Sequence, residues 1–318
     1  MMKNLRIIQI KSEIGAGTRG ASLGVDALRI VSMEMRSDFF LKYPVVDVPN
    51  NNHLLFERNR NPYAKRIQGI FDLYKKIAPV IKQTIEEDFF PLVLSGDHSI
   101  SAGTIAGLRQ AYPDKRVGVI WVDAHADIHS PYTTPSGNMH GMPVAMILSE
   151  DNLHNKTNDP IPETISVWNE IKNYCSPRLP IDSEDIAYIS VRNNEPAEDY
   201  LISHSNIRNF TTREIRQKGS IKVAHEALSY LSDCDKIYVS FDVDSLDPTL
   251  SRGTGTPASN GLMREEAQEL LKTLLLNEKV CCFEVVEINP LVDSNNSMAK
   301  IVFPLILEAS EVIEQRLI

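Results

Sequence analysis

The chain is short of the features that would place it outside the cell, in a membrane or on nucleic acid. Only four cysteines occur in 318 residues: Cys175, Cys234, Cys281 and Cys282. None is spaced as CxxC, and adjacent thiols in an apolar run read as buried core groups rather than a disulfide framework. That usage suits a reducing compartment. No run approaches the roughly 18 apolar residues of a membrane span. The N-terminus, Met1-Met2-Lys3 through Ile8, lacks a long apolar core followed by a small-residue cleavage site. Asn155-Lys156-Thr157 and Asn209-Phe210-Thr211 match the glycosylation pattern, but without a secretory signal they read as chance, and the expected location is cytoplasmic. Positive charge is also in deficit, with 33 Lys and Arg against 42 Asp and Glu, a formal net charge of −9. Nucleic acid and anionic membranes, which want clustered positive charge, are therefore not expected partners. A cationic small molecule fits better. There is no Pro/Ser-rich linker, repeat or low-complexity tract, so residues 1–318 are expected to form one domain.

What is present is an alternation of two patterns. Short apolar, β-branched runs occur at Leu5–Ile10, Val45–Val48, Pro91–Leu94, Val117–Val122, Ile186–Val191, Lys236–Phe241 and Val280–Val286. Runs such as Val117-Gly118-Val119-Ile120-Trp121-Val122 are apolar on both faces, as parallel strands covered by helices on each side must be. Amphipathic segments lie between them, clearest at Ala64–Glu87, Ser99–Ala111, Val223–Ser232, Arg264–Leu276 and Ser297–Arg316. The expected class is α/β, with a mostly parallel sheet flanked by helices on both faces. Segment 149–180 is polar and weakly periodic, and reads as a surface excursion.

Ligands of such sheets bind outside the carboxyl ends of the strands. Four strand ends carry ionisable residues there: Asp97-His98, Asp123-Ala124-His125-Ala126-Asp127, Asp242-Val243-Asp244, and Glu287. In extended chain alternate side chains share a face, so Asp123, His125 and Asp127 can converge, as can Asp242 and Asp244. With His98, four carboxylates and two imidazoles would meet. Like charges that close need cations, and two divalent ions supply a charge of +4. Oxygen-rich ligands with some imidazole and no thiolate favour Mn²⁺, with Co²⁺ or Fe²⁺ as other occupants. A lone DxD is more often a turn, and a lone histidine in GDHS could cap the following helix. Three such motifs at strand ends outweigh those readings. Asp97 and Asp247 read as turn residues, and His53, His154, His204 and His225 as bystanders.

The blocks GDHS, DAHADIHSPYTTPSGNMHGMP, SFDVDSLDP followed by GTGTP, and EVVEINP resemble the signature blocks of the ureohydrolases, in that order. GAGTRGASLGVDALR and SVRNNEPAE are also similar to family blocks, so the resemblance runs from about Gly15 to Pro290. Among ureohydrolases the stretch from Asp127 to Gly141-Met142-Pro143 looks like that of arginases rather than agmatinases or formimidoylglutamases. The resemblance implies an arginase-like sheet of about eight strands. It also implies one metal on His98, Asp123, Asp127 and Asp242, and another on His125, Asp123, Asp242 and Asp244. It further implies hydrolysis of L-arginine to L-ornithine and urea, with Asp127 orienting the nucleophile, Glu287 pairing with the guanidinium, and His140 carrying a proton to the leaving amine. A homotrimer or homohexamer is implied as well.

Two departures concern the amino-acid head of the substrate. Arginases usually carry Asn where this chain has His129, whereas Thr134, Ser136 and Asn138 match the other polar residues of the carboxylate-binding loop. Opposite, the chain offers Asn193, Glu195 and Glu198 toward the α-amino group, with Glu195 one methylene longer than the usual Asp. An imidazole still offers an N–H donor, so His129 is expected to read the substrate carboxylate. The alternatives are agmatine, another guanidino acid or formimidoylglutamate as substrate, or a metal-stabilised binding protein without turnover.

Overall fold

Strands that are apolar on both faces need cover on both sides, and here they form the middle of one eight-stranded sheet. The structure, a computed structural model, describes residues 4–176 and 181–317. The N-terminal reading on residues 1–3 and the last residues of segment 149–180 lie outside them.

The strands are β1 (Asn4–Ile10), β2 (Val45–Asp47), β3 (Phe89–Ser95), β4 (Val117–Val122), β5 (Ile186–Ile189), β6 (Arg208–Phe210), β7 (Lys236–Asp242) and β8 (Val280–Val286). All pairings are parallel and the order is β2-β1-β3-β8-β7-β4-β5-β6. The α-helices are α1 (Gly24–Glu34), α2 (Phe39–Lys42), α3 (Ile67–Glu86), α4 (Ser101–Ala111), α5 (Pro143–Leu148), α6 (Pro162–Cys175), α7 (Pro196–His204), α8 (Thr212–Lys218), α9 (Ser220–Tyr230), α10 (Arg264–Leu275) and α11 (Ser297–Leu317).

The alternation along each strand divides the core in two. On β4, Ile120 and Val122 join one cluster, filled by α1, α9, α10 and α11, while Val119 and Trp121 join the other, filled by α3, α4, α5 and α6. Each face is thus sealed by helices, and the polar chemistry is forced to the strand ends. No helix of the described residues is long and apolar enough to cross a membrane.

Two sequence expectations need correction. Segment 149–180 contains α6, whose Trp168, Ile171 and Cys175 are fully buried in the α3/α4/α5 layer; the polar outer face masked a helix that packs by one stripe. The three-residue edge strand β6 was not anticipated either, because Arg208-Asn209-Phe210 offers a single buried apolar residue.

Candidate metal centre and active site

The four central strands, β3, β8, β7 and β4, are consecutive in space although not in sequence. Their register pairs Leu94 with Val285, Asp242 with Val286, and Val122 with Phe241. The chain therefore leaves all four at the same level, and His98, Glu287, Asp242 and Asp123 emerge around one point. The strand order crosses over at this place, where α/β sheets open a crevice. Gly96 allows the tight exit from β3: a Cβ there would lie 1.9 Å from the Ser12 carbonyl oxygen.

His98 Nδ1 faces three carboxylate oxygens, at 3.0 Å from Asp123, 3.1 Å from Asp127 and 3.1 Å from Asp242. It is buried yet makes no hydrogen bond. The other ring nitrogen lies 2.7 Å from Ser240 Oγ, and the ring stacks on Trp121 at 3.9 Å between centroids. A second cluster forms where His125 Nδ1 lies 3.0 Å from Asp244 and 3.6 Å from Asp123. His98–Asp123–Asp127 and Asp123–His125–Asp244 are each compact enough to hold a metal ion. Asp123 belongs to both. An imidazole lone pair without a partner, aimed at carboxylates, fits a divalent cation well.

The convergence is not achieved by extended chain. Residues 123–125 form a bend and 126–129 are irregular, Asp127 has φ +51°, and Asp244 sits in a single 3₁₀ turn at Val243–Ser245. Carboxylates fold the segments back on themselves: Asp123 Oδ1 accepts the His125 N–H at 2.7 Å, and Asp242 Oδ1 accepts the Asp244 N–H at 2.7 Å. These are Asx-type turns, in which a short acidic side chain satisfies its own backbone. Asp97 caps the turn after β3 by accepting from Ser99, as anticipated.

The electrostatics are those of a crowded acidic centre. Burial, then the nearby Asp123, pushes Asp127 up to about 7. Asp242 and Asp244 are raised for the same two reasons, burial and neighbouring aspartates. Burial opposes a charge on His98, but the three aspartates outweigh it and hold its pKa above the ordinary value.

Beside the centre, His140 Nδ1 lies 3.1 Å from Glu287 Oε1, and the same oxygen accepts the His98 backbone N–H at 3.0 Å. Glu287 is buried and adopts φ +67°. Burial lowers the His140 pKa, but the Glu287 carboxylate prevails and brings it up to about 9.

The cleft of about 420 Å³ in front of the centre is lined by His125, Asp127, His140, Asp242 and Asp244 at its floor. Its outer wall carries every predicted head-group residue: His129, Thr134, Ser136, Asn138, Asn193, Glu195 and Glu198. His129, expected at the substrate carboxylate, is buried and turned toward the two glutamates instead. Its Nε2 meets Glu195 Oε2 and lies 3.6 Å from Glu198 Oε2, while Nδ1 is 3.1 Å from Thr133 Oγ1. Sequence reasoning missed Ser240, Trp121 and Thr256, which donates to Asp244 at 3.0 Å. Ser240 stands two residues before Asp242 on β7, so strand alternation could have found it.

An α/β sheet with a buried carboxylate–imidazole centre at its carboxyl edge is the architecture of a metal-dependent hydrolase. The comparisons narrow this. The model of the Arginase family matches residues 3–310. The arginase of Bacillus subtilis (strain 168) is 33% identical over 310 residues, covering 96% of this chain and 97% of its own. That of Bacillus caldovelox is 31% identical over 308 residues, covering 96% and 97%. The native structure of the B. caldovelox arginase matches with a TM-score of 0.82 at 30% identity, covering 98% of each chain. The chain belongs to the Arginase family. It is a hydrolase acting on amidino C–N bonds.

Proposed function

We propose that the chain hydrolyses L-arginine to L-ornithine and urea with two divalent cations, Mn²⁺ being the first choice. One would be held by His98, Asp123, Asp127 and Asp242, the other by His125, Asp123, Asp242 and Asp244. The observation that carries this reading is the unpartnered, buried His98 Nδ1 aimed at three carboxylates beside a second His–Asp cluster. When bound, such a metal pair supplies an activated water at neutral pH.

The chain's own groups do the rest. Asp127 borders both the centre and the cleft, so it accepts a hydrogen bond from the attacking water and orients it. Glu287 has Oε1 committed to His140 and the His98 amide, which leaves Oε2 to pair with a planar guanidinium. His140, kept protonated at neutral pH by Glu287, delivers a proton to the leaving amine as the C–N bond breaks. Thr134, Ser136 and Asn138 offer donors to a substrate carboxylate at the other end of the cleft.

The test is urea release from L-arginine, agmatine and other guanidino compounds after loading with Mn²⁺ or Co²⁺. Preference for arginine over agmatine by at least about tenfold, the worth of one charged hydrogen bond, is expected. Equal turnover of agmatine would overturn the substrate assignment. Absence of any urea would overturn the reaction.

A further inference from the structure

The outer wall of the cleft shows an asymmetry in what it can still bond. Three of its four glutamate oxygens already accept a bond within the protein. Glu198 Oε1 accepts the Ile128 N–H at 3.3 Å and Oε2 accepts the Glu195 N–H at 3.0 Å. Glu195 Oε2 is taken by His129 Nε2. A carboxylate oxygen only accepts, so His129 Nε2 carries a ring hydrogen and donates it to Glu195, while Thr133 Oγ1 lies 3.1 Å from Nδ1 on the other side of the ring. The imidazole N–H therefore sits where the two glutamates converge, which is where a substrate ammonium would have to sit. Of the four glutamate oxygens only Glu195 Oε1 accepts no bond within the protein, on a side chain 52% exposed, and the other acceptors beside it are the neutral amide oxygens of Asn193 and Asn194.

Donors on the same wall are in surplus. Thr134 Oγ1 accepts the Gly137 N–H at 2.9 Å and Ser136 Oγ accepts the Asn138 N–H at 3.1 Å, which leaves both hydroxyl hydrogens to donate. Asn138 Oδ1 accepts from Lys65 Nζ at 3.0 Å, which fixes the amide with its NH₂ group free. Three free donors on one side, and a glutamate pair already bonded to an imidazole N–H on the other, favour an anionic head group.

We propose that His129 is a specificity-determining residue: by filling the ammonium seat between Glu195 and Glu198, it makes the cleft take ω-guanidino carboxylates whether or not they carry an α-amino group. This rests on the amidinohydrolase reading above and extends its substrate class. The substrate's carboxylate anchors the head, and the charged group left for its ammonium is a solvent-exposed carboxylate oxygen. A pair of that kind is worth about fivefold or less in binding.

The test compares L-arginine with 5-guanidinopentanoate, which lacks the α-amino group, and with agmatine, which lacks the carboxylate, on metal-loaded wild type and His129→Asn. Calorimetry with L-ornithine and 5-aminopentanoate measures head-group recognition without turnover. Wild type is expected to favour arginine over 5-guanidinopentanoate by no more than about fivefold in kcat/KM, and ornithine over 5-aminopentanoate by no more in Kd. The Asn side chain is shorter and withdraws from Glu195, so both preferences should rise about tenfold, the worth of one charged hydrogen bond. A wild-type preference above about thirtyfold for the α-amino compounds, or preferences unmoved by His129→Asn in a variant that still binds ornithine, overturns the proposal. If His129→Asn fails to fold, the wild-type ratios decide alone. If no guanidino compound releases urea, the reaction assignment fails, while the two dissociation constants still decide whether the ammonium seat is filled.

Discussion

Glu287 Oε1 accepts from two histidines at once: the ring Nδ1 of His140 at 3.1 Å and the backbone N–H of His98 at 3.0 Å. One buried oxygen thus ties the proposed proton donor to the turn that carries a proposed metal ligand. Glu287→Gln keeps the shape and removes the charge. It should lower arginine turnover by roughly 30-fold or more, since parting a buried charge pair costs about 2–5 kcal/mol. The measurement is kcat/KM alongside the thermal midpoint. Near-normal kinetics with a lowered midpoint would make Glu287 a purely structural partner.

The same pair sets a pH dependence whose sign can be worked out. In the folded chain the His140 pKa is raised from 6.5 to about 9, the carboxylate of Glu287 outweighing burial. The stabilisation from charging His140 is therefore complete below about pH 6.5, and it drains away as pH rises through about 9. The stability difference between wild type and His140→Gln, read from urea midpoints, should shrink between pH 6.5 and 9.5. A difference that grows over this window would contradict the assigned contact.

Ser240 is the partner of His98 Nε2 at 2.7 Å and directs Nδ1 toward the aspartates. Outer partners of this kind typically change metal affinity 10–100-fold. Ser240→Ala should weaken divalent-cation binding by that amount while the fold persists, as followed by metal titration and circular dichroism. Unchanged affinity would show that the Trp121 stack alone orients the ring.

Much of this was legible in the sequence because it rests on local pattern. Strands apolar on both faces announced a covered parallel sheet, and acidic motifs directly after them announced the site. What the sequence hid depends on partners far away in the chain. The meeting of His129 with Glu195 spans 66 positions, and nothing local reveals it. The turns at Asp123 and Asp242 replaced the extended chain that spacing suggested, because each carboxylate found its own backbone N–H. Helix α6 was hidden for a different reason: only one stripe of it is apolar. Trp168→Ala, which empties the centre of that stripe, should destabilise the protein by about 3–5 kcal/mol in denaturant unfolding. A loss below about 1 kcal/mol would return residues 162–175 to the status of a surface excursion.

Asp127 combines an awkward backbone with a demanding side chain. Its φ of +51° lies in the left-handed region, which L residues other than Asn and Asp enter reluctantly. Its carbonyl accepts the Val144 N–H at 3.0 Å, so the bend is fastened to the start of α5. Its carboxylate lies 3.1 Å from His98 Nδ1 and also lines the cleft, so backbone and side chain are both committed to the centre. Substitutions can separate these two demands. Asp127→Asn keeps a residue that tolerates the left-handed region and an oxygen that still coordinates weakly. It loses the charge that would accept the hydrogen bond of the attacking water. The expected result is retention of much of the bound metal and of the thermal midpoint, with kcat for arginine down at least 100-fold, the usual lower limit for losing a positioned proton acceptor. Asp127→Ala removes the oxygen as well and puts a residue without local hydrogen-bonding capacity at positive φ. It should lose metal and stability together, the backbone strain alone costing about 1–2 kcal/mol. Metal content by elemental analysis, the thermal midpoint and urea release on the same preparations distinguish the cases. If Asp127→Asn turns over arginine at the wild-type rate, Asp127 holds the bend and nothing more, and the orientation of the attacking water must come from elsewhere in the cleft.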